Sequence, residues 1–276
     1  MRVSEVERGA WRAALVAALC LAASQGHGHD SWLSPSRGAS PPGQLVLELA
    51  TGNRYPVQEF SQTAASVAAA QCTDGAVTTA LRPLAAQPQW LDLAASESEA
   101  GGQAASCWAE LAAAEIEIEP RRVEVYFADI RTSAANREAW AAMRARGLPW
   151  RETYRKFARI ELAQAAAAPV ARLAAARQPA GLDLEIVVLG DRPIAVGQPL
   201  EFQVLRDGRP LAGFPVELVS ERSAVGIWRE TNADGLLRHS LPFAGRWLLR
   251  GTDLRLSAQR ANTWESRFVT LAVEAR

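Results

Sequence analysis

The chain has 276 residues, and its 30 basic and 30 acidic side chains give a formal net charge of zero. Hydrophobic residues make up 49% and charged residues 22% of the chain, a balance that is typical of globular proteins and argues against an intrinsically disordered one. A neutral chain offers no basic surface to nucleic acid, and its 3 histidines are too few for a histidine-rich enzyme with several metals. The length predicts one or two folded domains.

Residues 1–26 have the pattern of a secretory signal peptide. Basic residues at positions 2, 8 and 12 precede an apolar run over residues 13–23, which is too short to span a bilayer. Small residues at the −3 and −1 positions favour cleavage before His27, and cleavage after Ser24 or after Gly28 also satisfies the pattern. We therefore expect a protein of the bacterial periplasm, without a transmembrane segment in its mature chain.

The mature chain keeps two cysteines, Cys72 and Cys107. An isolated pair in an oxidising compartment predicts a disulfide. The alternative is a pair of buried free thiols. Catalysis by a cysteine and a histidine is disfavoured, because neither cysteine lies near a histidine in the sequence.

Most of the mature chain predicts strands. Apolar and polar residues alternate with a period of two, which is typical of half-buried antiparallel strands. In chain order the alternating segments are residues 45–49, 115–119, 123–127, 184–188, 200–204, 216–218, 237–241, 247–249 and 268–273. Asp207 and Gly208 predict a hairpin turn, and residues 232–235 predict a second turn.

One helix is predicted to begin after Ser133, a residue type that caps helices, and to end at Gly147. Trp140 and Met143 lie three residues apart on one side of this helix, and we expect them to anchor it in the core. Residues 150–162 fit a helix and a strand equally well.

The order of these elements predicts a mainly β protein with two β-sandwich-like modules and a short helical insertion in the first module. After the signal peptide, an N-terminal β domain with this insertion spans residues 27–165. The alanine-rich residues 166–182 predict a linker. An immunoglobulin-like β-sandwich is predicted for residues 183–276, where short strands recur with polar turns between them.

The segment His27-Gly28-His29-Asp30 has metal-binding chemistry. If cleavage leaves His27 first, the free amine, two backbone amides and the His29 imidazole can form a square-planar nitrogen site, a geometry that Cu(II) and Ni(II) favour. The His27 imidazole and the Asp30 carboxylate would then add further contacts. If cleavage leaves His29 first, its amine and imidazole can chelate one metal ion. The alternative is that two histidines lie in a polar terminus by chance.

His239 and Trp32 complete the candidate site residues. His239 alternates in phase with two leucines, which favours a buried structural histidine over a metal ligand shared with the terminus. Trp32 follows the metal motif closely and is the candidate for a ligand contact. The acidic residues within 115–119 indicate a solvated strand edge, and no serine lies in a Gly-x-Ser-x-Gly motif. We therefore expect no enzymatic activity.

Several short motifs resemble an uncharacterised family of exported proteins. They are His29-Asp-Ser-Trp-Leu-Ser-Pro35, Gly52-Asn-Arg-Tyr-Pro56, Glu152-Thr-Tyr-Arg-Lys-Phe-Ala158 and the turns at residues 207–213, 231–235 and 244–248. The family is regarded as a domain of unknown function, and some members are named as periplasmic accessory components of nickel/cobalt uptake transporters. The three turns also resemble those of carboxypeptidase regulatory-like and transthyretin-like β-sandwiches. The sequence departs from the family at Ser31, where an aromatic residue is favoured, and at Arg159, where lysine is frequent.

The histidine motif and this resemblance together imply a soluble periplasmic accessory protein that binds or delivers Ni, Co or Cu. Its implied partner is a membrane metal-uptake transporter. The alternative is a β-sandwich module that binds a protein or a glycan without any metal.

Overall fold

The computed structural model describes residues 29–38, 40–96, 104–163 and 169–276. Seventeen strands and three α-helices form within these residues, which confirms the mainly β prediction. The helices are α1 (Pro120–Asp129), α2 (Ala134–Ala145) and α3 (Val170–Ala176), and Ala64–Ser66 forms a 3₁₀ turn. The strands are β1 (Asp30–Pro35), β2 (Gln44–Gly52), β3 (Phe60–Ser61), β4 (Val67–Thr73), β5 (Thr78–Ala80), β6 (Arg82–Ala86), β7 (Trp90–Ser96), β8 (Ser106–Ile118), β9 (Trp150–Glu161), β10 (Leu184–Val188), β11 (Pro199–Arg206), β12 (Arg209–Pro210), β13 (Pro215–Ser220), β14 (Ser223–Glu230), β15 (Leu236–Ser240), β16 (Gly245–Leu256) and β17 (Trp264–Ala275).

An eight-stranded sheet, which we call the central sheet, has the strand order β14-β13-β16-β17-β9-β8-β4-β5. Its neighbouring strands are antiparallel except for β17 and β9, which are parallel. Four of its strands precede residues 166–182 in the sequence and four follow them. Backbone hydrogen bonding in the central sheet therefore continues between the two predicted domains. Their division at residues 166–182 stays a prediction.

Different layers cover the two faces of the central sheet. The face that carries Leu248 and Leu254, which we call the front face, packs against α1, α2 and a five-stranded sheet of β1-β2-β7-β6 with β3 beside β2. The back face carries Trp247 and Leu249 and packs against a four-stranded sheet of β10-β11-β12 with β15 beside β11. Successive residues of one strand point to opposite faces, so a single strand contributes to two separate cores. The result is a layered, sandwich-like architecture.

The strand predicted at residues 123–127 is wrong, because these residues belong to α1. Val123 and Phe127 are buried, whereas Val125 between them is 62% exposed. Residues four apart share one side of a helix and also one side of a strand, so only the middle residue distinguishes the two structures. Pro120 occupies the first turn, where its fixed φ suits a helix and its missing N–H leaves no donor unpaired.

The prediction for α2 is confirmed. The Ser133 side chain accepts a hydrogen bond from the backbone amide of Asn136 at the start of the helix, and this is the usual way to satisfy an N-terminal amide. Trp140 and Met143 are buried in the core under α2. The ambiguous residues 150–162 form the long strand β9, which pairs with β8 and β17.

Two further local predictions are confirmed. Asp207 and Gly208 have φ values of 51° and 73° and connect β11 to β12 as a tight hairpin. Cys72 and Cys107 lie opposite each other on β4 and β8 and form the predicted disulfide. The predicted linker contains the short helix α3. Among the residues that the structure describes, no helix is long and apolar enough to cross a membrane.

Candidate functional site

His29 lies immediately before β1 and is 7% exposed. Its ring packs edge-on against Phe60, with ring centroids 4.9 Å apart. The His29 Nδ1 atom lies 3.6 Å from Oε2 of Glu59. The same carboxylate oxygen accepts hydrogen bonds from the backbone and side-chain nitrogens of Asn53, at 2.9 and 3.0 Å. An imidazole nitrogen and a fixed carboxylate oxygen are therefore neighbours at the start of β1.

The only lysine of the chain, Lys156, holds the backbone of His29 from the front face. Its Nζ atom donates a 2.7 Å hydrogen bond to the His29 carbonyl oxygen. Burial lowers the pKa of Lys156 to about 8, while the negative charges of Asp30 and Glu152 act in the opposite direction. Glu152 is buried as well, and its carboxylate accepts hydrogen bonds from Tyr126, Trp150 and Ser266.

Asp30 is held by an arginine of the central sheet. Its Oδ2 atom accepts a 2.5 Å hydrogen bond from Nη1 of Arg250 on β16. Arg250 also binds Glu217, which lies opposite it on β13. Burial alone would lower the pKa of Arg250, but the two carboxylates raise it above the ordinary value. Asp30 therefore already neutralises a partly buried cation.

His239 lies on the other side of the central sheet. It belongs to β15 and pairs with Leu200 in the layer that covers the back face, whereas His29 lies on the front side. Burial and the positive charge of Arg229 lower the pKa of His239, which favours its neutral form. Trp32 is 1% exposed and packs against Tyr55 in the core beneath the five-stranded sheet.

The structure therefore brings two of the four predicted metal ligands together. His29 and Asp30 are adjacent, the central sheet separates them from His239, and His27 lies outside the described residues. Within residues 29–38, 40–96, 104–163 and 169–276, no group of three or more histidine, cysteine or acidic side chains is placed to hold a metal ion. Glu59, which sequence reasoning missed, lies about thirty residues away from His29 and no local pattern signals it.

A second concave region lies between the helices and the central sheet, and we call it the helix–sheet cleft. Its volume is about 760 Å³. It is lined by residues 130–133, Asn136, 211–215, 228–230 and 252–255. The Arg131 guanidinium lies 4.4 Å from the ring centroid of Trp228. Sequence reasoning missed this cleft, because its walls come from four separate segments of the chain.

The inner end of the cleft reaches the amino-terminal strand. A small recess lined by Asp30, Asp129 and Arg250 shares Trp228 and Thr252 with the cleft. Burial raises the pKa of Asp129, the positive charge of Arg250 lowers it, and the negative charge of Asp30 raises it further. The candidate metal terminus and the cleft therefore lie on the same side of the central sheet.

Comparisons with known proteins give one family match. A family model described as a domain of unknown function, DUF4198, matches residues 26–252. No curated protein matches this chain. Among solved structures, the chain is similar to a tetra-tandem repeat in the extending region of a large adhesion protein, with 9% sequence identity and a TM-score of 0.22. The alignment covers 90% of this chain and 49% of that one, so this chain spans about half its length. A likeness this distant carries no functional argument.

Proposed function

The chain belongs to the DUF4198 family of domains of unknown function, and on that premise we propose that it handles a metal ion in the periplasm. It receives Ni(II), Co(II) or Cu(II) at its mature amino terminus and delivers the ion to a membrane uptake transporter. The His27-Gly28-His29 sequence supports this proposal, as does the resemblance to accessory components of nickel/cobalt transporters. The proposal assigns no catalytic step to the chain.

The observation that carries the proposal is the position of His29 beside Glu59. With His27 first, the His29 imidazole is the fourth nitrogen of a site made by the terminal amine and two backbone amides. The Glu59 carboxylate oxygen, 3.6 Å from Nδ1, supplies an oxygen donor next to that site. Square-planar nitrogen ligation suits Cu(II) and Ni(II). The strand pairing of β1 begins at Asp30, so metal binding at residues 27–29 leaves the sheet intact.

Two contacts hold this terminus against the protein. Lys156 binds the His29 carbonyl oxygen, and Arg250 binds the Asp30 carboxylate. Lys156 and Arg250 both lie on the central sheet, so they fix the positions of His29 and Asp30 relative to that sheet. The contacts use the His29 carbonyl oxygen and the Asp30 carboxylate and do not involve the imidazole. A fixed starting point reduces the conformational freedom that metal binding must remove.

Metal titration of the mature protein tests the proposal. Mass spectrometry first identifies the terminal residue, and calorimetry then measures binding of Ni(II), Co(II) and Cu(II). We expect one tight site that a His27→Ala/His29→Ala variant loses and a His239→Ala variant keeps. If the mature protein binds no metal more tightly than the double variant does, the proposal is wrong.

The starting residue supplies a sharper control. A chain that begins at Gly26 has Gly28 as its third residue, so it lacks the imidazole at the position that a square-planar site requires. A chain that begins at His29 keeps only its amine and imidazole. We expect the chain that begins at His27 to bind Cu(II) and Ni(II) most tightly. Equal affinities for all three chains would exclude the square-planar site.

The second candidate function is a β-sandwich module that binds a protein or a glycan without metal. The helix–sheet cleft favours it, because concave regions of this size are typical ligand sites. The proposed immunoglobulin-like module at residues 183–276 supplies most of the cleft walls. This candidate predicts that a partner is captured from periplasmic extract equally well in the presence of a metal chelator.

A further inference from the structure

The carboxylate of Glu59 gives the proposed metal site a preference among its candidate ions. We infer that Glu59 is the axial ligand of the bound ion and that the site therefore selects Cu(II) over Ni(II). This preference rests on the proposed function, because it concerns the same site at the mature amino terminus. It adds the identity of the favoured ion, which the His27-Gly28-His29 sequence alone leaves open between the two.

Nδ1 of His29 is the imidazole nitrogen that the proposed site uses. In that site the backbone nitrogen and the imidazole of His29 bind the same ion. Nδ1 closes a six-membered chelate ring with this backbone nitrogen, through Cα, Cβ and Cγ, whereas Nε2 lies on the far side of the imidazole and points away from the ion. The atom that binds the ion is therefore the one that lies 3.6 Å from Oε2 of Glu59.

The position of Glu59 suits an axial ligand better than a ligand in the plane. In the proposed site four nitrogen atoms fill the plane, and the Gly28 amide nitrogen is opposite Nδ1, so a carboxylate approaches the ion from above or below. Two donor atoms at right angles on one ion lie about 3 Å apart when both bonds are about 2.0–2.2 Å long, and a longer axial bond increases this separation. The 3.6 Å between Nδ1 and Oε2 therefore matches a weak axial contact.

The Glu59 carboxylate is held in place by the protein. Asn53 donates hydrogen bonds to Oε2 from its backbone nitrogen at 2.9 Å and from its side chain at 3.0 Å. The Glu59 backbone amide donates to the Thr51 carbonyl oxygen at 3.0 Å. The two hydrogen bonds from Asn53 draw electron density from Oε2 and make it a weak donor, which suits a long axial bond. Asp30, the other carboxylate near His29, is already bound to Arg250.

Cu(II) and Ni(II) respond differently to an axial ligand. Both favour four nitrogen atoms in a plane. The planar Ni(II) complex is stabilised by pairing all its d electrons, and a fifth ligand works against this paired state. Cu(II) has one unpaired electron with or without the fifth ligand, and its tetragonal geometry accepts a long axial bond. Glu59 therefore stabilises the copper complex and not the planar nickel complex.

Competitive titration of the chain that begins at His27 measures its affinities for Cu(II) and Ni(II). Nitrogen sites bind Cu(II) more tightly than Ni(II) in any case, so the contribution of Glu59 is a change in the ratio of the two affinities. Glu59→Ala should weaken Cu(II) binding about tenfold, the lower end of the effect of groups that surround a metal ligand. Ni(II) binding should stay nearly unchanged.

The visible absorption band of the copper complex supplies a second readout, which does not depend on affinity. An axial ligand moves the d–d band of a planar Cu(II) complex to longer wavelength. Glu59→Ala should therefore move the band of this protein to shorter wavelength. A change in the stability of the fold alone would not move it.

Glu274→Ala is the matched control. It removes the same charge from a side chain that is 34% exposed, compared with 31% for Glu59. Glu274 lines a small recess with Pro35, at the opposite end of β1 from His29. This variant should keep the affinity ratio and the absorption band of the unchanged protein. Circular dichroism checks that both variants are folded.

Two results would overturn the inference while metal handling stands. The first is an unchanged affinity ratio and an unchanged band in Glu59→Ala. The second is an equal loss of Cu(II) and Ni(II) affinity, which would mean that Glu59 acts only through its charge. A mature protein that binds neither ion overturns the metal proposal and the copper preference together, so the two failures are distinguishable.

Discussion

Replacing Arg159 by lysine should destabilise the protein strongly, although both side chains are positively charged. Arg159 lies on β9, points to the back face and is 2% exposed. Its guanidinium donates to five acceptors, which are Ser106 Oγ at 3.0 Å, Glu161 Oε1 at 3.3 Å, the Ala176 carbonyl at 2.9 Å, the Gln178 carbonyl at 3.2 Å and Glu185 Oε2 at 3.4 Å. These acceptors belong to β8, β9, β10, the end of α3 and the segment that follows it. One side chain thus joins α3 to two sheets.

The magnitude follows from counting donors. An ammonium group has three N–H donors and a guanidinium has five, so Arg159→Lys removes at least two of the five hydrogen bonds. Glu185 Oε2 also accepts from the Ala180 backbone amide, so one or two buried acceptors are left without a donor. Each of them costs about 1–3 kcal/mol, so the free energy of unfolding should fall by about 1–6 kcal/mol. Arg159→Met removes the charge as well and should cost about 3–5 kcal/mol, the range for breaking a buried ion pair. Either loss is a large part of the stability of an ordinary domain.

Urea unfolding followed by far-ultraviolet circular dichroism measures these free energies. Arg155→Lys is the matched control, because Arg155 lies on the same strand and its side chain is 40% exposed beside Asp183. An exposed ion pair contributes about 0–1 kcal/mol, so this variant should be nearly as stable as the unchanged protein. If Arg159→Lys is as mild as Arg155→Lys, the count of donors does not govern the stability of this site.

Three further predictions concern the stability of the first part of the chain. Cys72→Ser/Cys107→Ser should lower the free energy of unfolding by about 3–4 kcal/mol, because the bond joins residues 35 positions apart and restricts the unfolded chain. For Asp74, burial raises the pKa, but hydrogen bonds from two backbone amides and the charge of Arg172 together hold it below the ordinary value. Asp74→Asn should therefore lower the free energy of unfolding at pH 7. The difference in this free energy between the variant and the unchanged protein should shrink as the pH falls from the unfolded-state pKa, about 3.9, through the lower folded-state pKa. Gly75→Ala should cost at least about 1–3 kcal/mol, because φ is +91° and a Cβ atom would lie 2.0 Å from the Arg172 carbonyl oxygen.

The same unfolding measurement checks all three predictions. For the disulfide, the unchanged protein under reducing conditions should match the serine variant, and a stable reduced protein would contradict the prediction. For Asp74, a stability difference that stays constant from pH 7 to pH 2 would show that its charge is unimportant. For Gly75, the glycine at position 43 is a control with φ +74° and no atom within 4 Å of the added Cβ. Gly75→Ala should cost more than Gly43→Ala, and equal costs would exclude the predicted clash with α3.

The candidate site shows how far local patterns reach. The His27-Gly28-His29 motif is visible because the proposed ligands are consecutive residues. The neighbours that hold His29 and Asp30 are not visible in the same way. Lys156 is 127 positions from His29, and Arg250 is 220 positions from Asp30. Contacts over such separations depend on which strands become neighbours, and no short pattern specifies that. The helix–sheet cleft is hidden for the same reason.

The sequence by itself determined the features that depend on nearest neighbours along the chain. They include the alternating strands, the capped helix α2 and the hairpin at Asp207 and Gly208, because capping, turn conformation and periodicity act within a few residues. The pairing of Cys72 with Cys107 followed from there being no other cysteine after the predicted signal peptide. Each of these predictions needed no knowledge of the tertiary structure.

Only the tertiary structure decided the remaining features. Residues 123–127 became helical because their buried side chains pack under α2 on the front face, against a pattern that also suits a strand. The parallel pairing of β9 with β17 built one central sheet from both halves of the chain. That sheet placed His29 and His239 on opposite sides, and it placed Arg131 over Trp228. The physical reason is that burial and strand pairing act between distant residues, and their energies outweigh local preferences.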